Sequence, residues 1–325
     1  MKVLDNVRTE LVTAVDIETV RIVNNFEDLD EEWQLAWEHK NKKDGQILDN
    51  VELADLWTRT ASLYGEFSKV CAVSLAYLDG QGQLVCKEFF GENEKAILEA
   101  VAVTLNNMKA KDASYRLVGH ASKFFDYPFL SKRYVINELD IPLTLDSTNL
   151  KPWEGSNLCT NDIWKCGGTG SGSSLLALCK ALKIPVSKLD LVGDEVGQSY
   201  YNQEFDRIGR YCSFDTIATF NVMRKFKKEP IFQFDNVQYI NAYSENLLEP
   251  CVVEEEVEQP ILTQLFETKQ FNQEVKDYLV SLQPKTEEDK INLIKIITAN
   301  YQAKGDKVGI KKAKEKEVTD FINSI

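Results

Sequence analysis

Four acidic residues, spaced in a fixed order along the first two-thirds of the chain, are the side chains best suited to chemistry. They are Asp16 and Glu18 in an Asp-Ile-Glu-Thr segment, Asp126 in a Phe-Asp-Tyr-Pro segment, and Asp215. Four carboxylates that converge in one cleft form a site for two hard divalent cations, the arrangement that phosphodiester cleavage uses. The pattern therefore indicates a metal-dependent nuclease.

The first two acids lie at the end of a predicted strand at residues 10–17, with Asp16 inside it and Glu18 directly after it. Residues two apart in a strand point to the same face of the sheet, so Asp16 and Glu18 present both carboxylates to one side. Ile17 then faces the opposite layer.

The other two acids belong to predicted helices. Asp126 lies near the start of a helix at 124–139, just beyond a short strand. Asp215 lies on a helix at 208–226, where Tyr211, four residues earlier, projects from the same stripe. Each element supplies one part of the site, and the tertiary fold must bring the parts together.

The order of elements predicts a mixed α/β sheet domain. Besides the segments above, the pattern predicts strands at 70–78, 84–90 and 115–118, and helices at 92–108 and 173–182.

These residues resemble the DEDD 3′→5′ exonucleases of the ribonuclease H-like fold, in the subclass with a tyrosine in the third motif. The match is closest to stand-alone relatives of the proofreading domain of family B DNA polymerases. The first motif stands at 16–19, the second runs from Gly119 to Asp126, and Tyr211 and Asp215 supply the third, with Cys212 matching the common Tyr-Cys variant. The resemblance covers residues 8–230 and implies a ribonuclease H-like mixed β-sheet flanked by helices at 1–232.

The resemblance also implies roles for the motif residues. Asp16, Glu18, Asp126 and Asp215 would hold two Mg²⁺ or Mn²⁺ ions, with Asp16 bridging both. Tyr211 would orient the attacking water, because a free tyrosine with a pKa of roughly 10 is a poor base at neutral pH.

Residues in or beside the first two motifs are candidates for substrate contacts: Thr19, His120, Lys123 and Phe125. One departure from the family pattern stands among them. Ala121 follows Gly-His where the family usually has asparagine, so a substrate contact from that amide is missing. Two further cations beside the second motif, Lys132 and Arg133, fit either a substrate contact or a solvated helix surface.

Composition agrees with this interpretation. The net charge of −13 opposes tight coating of DNA, but bound cations would reverse the sign of the site itself. The seven cysteines include no C-x-x-C pair, which indicates reduced, buried thiols. The N-terminus has no apolar signal core, and the longest apolar stretch, 70–78, is too short to span a bilayer. We expect a cytoplasmic protein with no membrane segment.

A glycine-rich segment at 166–174 nearly matches a phosphate-binding P-loop, but Ser173 replaces its lysine. We expect a loop that caps the following helix at Ser174, although the N-terminus of that helix could still hold a substrate phosphate.

The character of the chain changes at residue 233. Residues 233–325 are predicted to form an acidic linker and a small helical appendage, with amphipathic patterns at 262–282 and 286–301 and a lysine-rich segment at 304–316. This region could guide a nucleic-acid strand, dock a replication or repair protein, or pack on the main domain.

Two functions stay open at this stage. The favoured one is a 3′→5′ exonuclease on single-stranded DNA in replication or repair, with RNA as a variant substrate. The other is a non-catalytic nucleic-acid or protein binding module on the same fold. Retention of four acids and Tyr211 favours the enzyme, because crowded like charges are costly without metals.

Overall fold

The computed structural model describes residues 2–42, 49–151, 154–170, 172–186 and 191–243, together with positions 316 and 320. The linker and the helices predicted at 262–282 and 286–301 lie outside the described residues. The helical appendage therefore stays a prediction.

The described strands form a mixed six-stranded sheet in the order β5-β4-β1-β2-β3-β6. The pairs β1–β2 and β2–β3 are antiparallel, and β1–β4, β4–β5 and β3–β6 are parallel. The strands are β1 Val12–Arg21, β2 Ser68–Leu78, β3 Leu84–Phe90, β4 Arg116–Gly119, β5 Leu158–Cys159 and β6 Gln238–Tyr243.

Helices cover both faces of this sheet, so the predicted α/β class with a mixed sheet flanked by helices is confirmed. Helices α3 and α4 pack on one face, and α8 with α6 and α7 packs on the other. No helix among the described residues is long and apolar enough to cross a membrane. The helices are α1 Glu31–Asn41, α2 Asn50–Thr60, α3 Glu94–Lys111, α4 Asp126–Ile136, α5 Thr160–Trp164, α6 Leu175–Leu182, α7 Val196–Tyr201 and α8 Phe205–Phe226.

The sequence of β2 explains its central place. It is apolar at nearly every position because both of its faces are buried. Val73 and Leu75 point into the α3–α4 layer, whereas Ala72 and Ala76 point toward α8. The small side chains on the α8 side let this long helix lie close to the sheet.

A glycine allows the closest approach of α8. A Cβ at Gly209 would lie 2.3 Å from the ring of Phe90 on β3, a distance that packed atoms do not tolerate. Any larger residue at 209 would push the helix off the sheet, together with the catalytic candidates that follow on it.

Helices α1 and α2 follow β1 in the chain and precede β2, and neither was predicted from the sequence. Together with Phe67 they form an aromatic cluster. Trp37 and Trp57 are fully buried and contact each other edge to face, with ring centroids 5.2 Å apart. Phe67 packs on Trp37 with a centroid separation of 5.0 Å. The cluster supports the turn that leads into β2.

Arg133 is buried, so both alternatives predicted for it, a substrate contact and a solvated charge, are wrong. Its guanidinium forms an ion pair with the equally buried Glu94 on α3, with an Nε to Oε1 distance of 2.7 Å, and donates to the Gly65 carbonyl. Glu94 also accepts from the Val70 backbone N–H. This network joins α3, α4 and β2.

The sheet extends past the predicted end of the nuclease domain at residue 232. Strand β6, at 238–243, pairs with β3. Its polar Gln-Tyr-Ile-Asn-Ala-Tyr sequence carries no strong strand signal, which is typical of an exposed edge strand.

Candidate active site

The four predicted acids come together around β1, with Asp16 and Glu18 on its α8 side. Ile17 packs in the α3–α4 layer, so strand alternation turns Asp16 and Glu18 toward α8 as predicted. One carboxylate oxygen each of Asp16 and Glu18 lies within 4.8 Å of the other and of the Cys212 Sγ on α8. Charge–charge effects between Asp16 and the other acids place Asp126 and Asp215 in the same cluster.

A β-bulge follows Glu18. Glu18 pairs with Ala72 and Thr19 pairs with Val70, so Cys71 of β2 has no partner on β1. The Cys71 thiol donates to the Glu18 carbonyl oxygen at 3.4 Å. Bulges bend a strand and redirect side chains beside active sites, and this one lies directly after Glu18, with its extra residue on β2.

Asp126 begins α4 directly after the second-motif turn, a tight turn at 120–125 that follows β4. Its carboxylate is 4% exposed and accepts a hydrogen bond from the Ile17 backbone N–H. The turn packs against β1 because residue 119 is glycine. A Cβ there would lie 2.4 Å from the Ser122 Cβ and 3.2 Å from the Val15 carbonyl oxygen.

Hydrogen bonds to β3 fix the position of α8 where it carries Tyr211 and Asp215. The Ser213 hydroxyl donates to the buried Glu88 carboxylate at 2.7 Å, and Arg210 pairs with the same carboxylate at 3.2 Å. These contacts hold the face of α8 that carries Tyr211 and Asp215 above β1.

Burial and mutual repulsion raise the pKa of the two strand acids. The pKa of Asp16 lies well above its usual value, because of burial first and then the carboxylates of Asp126, Glu18 and Asp215. Burial also raises the pKa of Glu18, with Asp215 and Asp126 adding to the effect. Without cations, the cluster therefore resists full ionisation.

The two helix acids show the same behaviour. Burial raises the pKa of Asp126 to about 7 and that of Asp215 to about 6. Tyr211 donates its hydroxyl to Asp215, which partly opposes the shift. Burial and the nearby carboxylates raise the pKa of Tyr211 itself, so its hydroxyl stays protonated at neutral pH.

Cys212 lies beside the carboxylates but is a poor candidate ligand. Its Sγ donates to the backbone carbonyl of Asp16 at 3.4 Å and approaches the Asp16 carboxylate at 3.8 Å. Burial and the Asp16 and Glu18 carboxylates raise the pKa of the thiol. A protonated sulfur suits neither Mg²⁺ nor Mn²⁺, which prefer oxygen ligands.

The remaining donor set fits hard divalent cations. No lysine or arginine contributes to the pKa shifts of the four acids, whose neighbours are neutral donors and other carboxylates. Oxygen ligands with uncompensated negative charge are what Mg²⁺ and Mn²⁺ bind. Asp16, Glu18, Asp126 and Asp215 are therefore the residues that could hold the metals.

Two predicted substrate contacts, Thr19 and His120, make hydrogen bonds within the protein. The Thr19 hydroxyl donates to the Ser62 carbonyl at 2.7 Å. The His120 ring nitrogens lie 2.9 Å from the Thr160 hydroxyl and 2.8 Å from the Ser173 carbonyl. His120 thereby ties the second-motif turn to the glycine-rich loop.

The predicted cap of the helix after that loop is confirmed. The Ser174 side chain accepts from the Ala177 backbone N–H at the start of α6. The Asn161 side chain accepts from the Ser173 N–H at 2.9 Å, so the end of the loop is fixed on α5.

The two phenylalanines before Asp126 differ in exposure. Phe125, the predicted substrate contact, is partly buried and packs on Phe129 with ring centroids 5.3 Å apart. Phe124 is 74% exposed. Lys123, the other predicted contact, is partly exposed on the same turn. Phe124 is not among the predicted contacts, because a Phe-Phe pair in a turn does not indicate which ring faces water.

A pocket of about 390 Å³ opens beside the acids. Tyr211 and Asp215 form its polar end, and its other walls are apolar. Those walls are Leu175, Leu176, Val186, Leu191, Val192, Phe214, Ala218 and Phe234.

Comparison with known proteins supports the family resemblance. A family described as "Predicted 3'-5' exonuclease related to the exonuclease domain of PolB" matches residues 62–267. The matched segment contains Asp126, Tyr211 and Asp215 and begins after Asp16 and Glu18. No curated protein matches the chain.

Among solved structures, the chain is similar to the family B DNA polymerase from the hyperthermophilic archaeon Pyrobaculum calidifontis. The identity is 14% and the TM-score 0.39, over 66% of this chain and 24% of that chain. The chain thus spans about a quarter of the polymerase. A similarity this low does not establish a shared fold; the ribonuclease H-like class is supported by the family match and by the mixed sheet.

The Gly119→Ala variant tests whether the second-motif turn positions Asp126. We expect a loss of about 1–3 kcal/mol in the free energy of unfolding, because the new Cβ forces Ser122 away. Metal affinity, measured by calorimetry, is expected to fall with it. Gly80→Ala is the matched control, since a Cβ at that turn glycine meets nothing within 4 Å. Equal stability and affinity in the two variants would contradict this role for Gly119.

The raised pKa values predict how the metal-free protein responds to pH. An acid whose pKa is higher in the folded state binds more protons folded than unfolded, so its contribution to stability falls as pH rises through the folded pKa. For Asp126, with a pKa of about 7, we expect a contribution that shrinks by roughly 2–3 kcal/mol between pH 5 and pH 8.

Urea unfolding in chelator measures this effect. Asp126→Asn is expected to lose less stability than the wild type over the same pH range, whereas Asp55→Asn, on the exposed surface of α2, follows the wild type. Parallel curves for wild type and Asp126→Asn would show that Asp126 has an ordinary pKa.

Proposed function

Because the chain belongs to the family of predicted 3′–5′ exonucleases related to the exonuclease domain of PolB, we propose that it is a two-metal-ion exonuclease that removes nucleotides from the 3′ end of single-stranded DNA. The convergence of four buried or partly buried carboxylates around β1 is the observation that carries this proposal. Burial raises the pKa of all four acids, the neighbouring carboxylates raise that of Asp16 and Glu18 further, and within the described residues no cationic side chain lowers it. Such an arrangement lowers the stability of the fold, whereas a metal-dependent phosphodiesterase needs it to bind its cations.

Asp16, Glu18, Asp126 and Asp215 are the proposed ligands of two divalent cations, Mg²⁺ or Mn²⁺. When bound, such cations lower the pKa of a coordinated water and neutralise charge on the scissile phosphate and leaving oxygen. The carboxylates must be ionised to do this, so activity is proposed to rise with pH as they lose their protons.

Tyr211 is proposed to position the nucleophilic water. Its hydroxyl is held by Asp215 and has a raised pKa in the metal-free protein. A protonated phenol can accept a hydrogen bond from water and keep its own bond to Asp215. The tyrosine therefore orients the attack without serving as the base.

The apolar pocket beside Tyr211 is proposed to receive the terminal base of the substrate. Its walls offer burial and few hydrogen-bond partners, and a volume of about 390 Å³ accommodates one nucleoside. A base must leave its pairing partner to enter, which favours a single-stranded 3′ end.

The proposal extends to DNA replication or repair, where 3′ ends are trimmed. The family relation to a polymerase domain supports DNA over RNA as substrate. A replication or repair protein that binds residues 233–325 remains part of the proposal, as does a cytoplasmic location.

A degradation assay tests the function directly. Single-stranded DNA and RNA of one sequence, labelled at the 3′ or 5′ end, are incubated with Mg²⁺, Mn²⁺ or chelator. We expect metal-dependent release of mononucleotides from the 3′ end of DNA, faster than from RNA. The Asp16→Ala/Glu18→Ala double variant is expected to show background activity.

The matched control is Glu31→Ala/Glu32→Ala, which removes two exposed carboxylates from the first turn of α1 and is expected to retain full activity. Faster digestion of RNA would reassign the substrate. Absence of cleavage of either nucleic acid would contradict the enzyme and favour a binding module.

A further inference from the structure

The second-motif turn displays an aromatic ring on the protein surface. Phe124 lies two residues before Asp126 and is 74% exposed, whereas its neighbour Phe125 is packed against Phe129. An exposed phenylalanine keeps most of its ring in contact with water, and burying that ring against a flat partner is favourable.

A lysine already contacts this ring. The Lys165 Nζ lies 5.4 Å from the centre of the Phe124 ring, in cation–π range, and pairs with Asp162 at 3.2 Å. Lys123, next to Phe124, forms no ion pair within the part of the chain that the structure describes. An exposed ring flanked by cationic side chains matches how proteins bind the bases and phosphates of a single strand.

The ring forms one wall of a groove of about 530 Å³. Leu143, 73% exposed, and Leu150, 47% exposed, line it from the opposite side. Lys123 and Lys151 lie on its edge. The space exceeds that of the pocket beside Tyr211, so it accommodates at least one nucleotide.

Two carboxylates also line the groove. Asp162 is paired with Lys165, and Asp146 accepts hydrogen bonds from Thr148 through its backbone N–H and hydroxyl. The ion pair with Lys165 offsets the charge of Asp162, whereas Asp146 keeps its negative charge. Two lysines, Lys123 and Lys151, line the groove together with these two carboxylates, and Lys165 lies beside the Phe124 ring, in a chain of net charge −13.

We propose that Phe124, Lys123 and Lys165 form a platform on which single-stranded nucleic acid stacks a base outside the acidic cleft. The platform rests on the proposed nuclease function, because the strand is the one whose 3′ end lies at the acids. Two residues of chain span at most about 7 Å, so the turn that carries Asp126 also carries the platform. A strand bound at the acids and extended along this turn reaches the Phe124 ring.

Fluorescence anisotropy with labelled (dT)₁₂ tests the platform. The titration uses the full chain in Ca²⁺, and a gel verifies that the oligonucleotide stays intact. We expect Phe124→Ala to raise the Kd by roughly 5- to 100-fold, the range for loss of one base–aromatic stack. Phe124→Trp is expected to retain binding, and Val103→Ala, an exposed apolar residue on α3, to match the wild type.

Competition by dTMP distinguishes binding at the platform from binding at the acidic cleft. The mononucleotide is too small to bind both, so the loss on Phe124→Ala is expected to be at least fivefold greater for (dT)₁₂ than for dTMP. Lys123→Gln is expected to reduce the slope of log K against log salt by about 0.7, the value for one phosphate contact to a single strand.

A Kd for Phe124→Ala within twofold of the Val103→Ala value would overturn the platform, and so would equal losses for (dT)₁₂ and dTMP. Phe124→Leu, which keeps an apolar side chain but lacks the π face, decides the question if the alanine variant does not fold.

Digestion of the same oligonucleotide in Mg²⁺ by the wild type reports the proposed nuclease function separately. Digestion by the wild type, together with oligonucleotide binding that does not depend on Phe124, would support the nuclease function and overturn the platform. Phe124-dependent binding without digestion would support the platform and contradict the proposed nuclease function.

Discussion

Repulsion among four carboxylates is the constraint on which the structure around the site depends. Asp16 and Glu18 lie on one strand, Asp126 begins a helix, and Asp215 lies on another. The charges of Asp126 and Asp215 raise the pKa of both strand acids. Left in water, these acids would separate. The fold holds them together and supplies only weak compensation, through the Ile17 N–H, the Tyr211 hydroxyl and the Cys212 thiol. Divalent cations are the chemically matched source of the missing positive charge.

Close backbone packing holds the elements that carry the four acids in place. Gly119 lets the second-motif turn rest on β1, and Gly209 lets α8 rest on Phe90. The hydrogen bonds from α8 to Glu88 then fix the helix along its axis. These contacts involve residues other than the four acids, so they set the geometry of the site without using its carboxylates. Stability and function are therefore linked at the same two glycines.

Much of the site was predictable because its geometry follows from local periodicity. Strand alternation places Asp16 and Glu18 on one face with Ile17 on the other, and helical spacing places Tyr211 one turn from Asp215. The strand at 84–90 was predicted with its observed bounds. Other features depend on tertiary contacts that one sequence does not display. Arg133 is buried because Glu94, 39 residues away, meets it. Helix α1 has few apolar residues and is held through Trp37 by the aromatic cluster, and β6 is ordered by pairing with β3 despite its polar sequence.

The most direct test of this account counts the cations that the four acids bind. Mn²⁺ is titrated into the chelator-treated protein at pH 8, above the pKa of about 7 for Asp126 and about 6 for Asp215, and free Mn²⁺ is followed by electron paramagnetic resonance. The account predicts two Mn²⁺ per chain in the presence of dTMP, and loss of both in Asp16→Asn. Wild-type protein that binds no Mn²⁺, or an Asp16→Asn variant that binds as much as the wild type, would contradict the claim that these acids are assembled for metal.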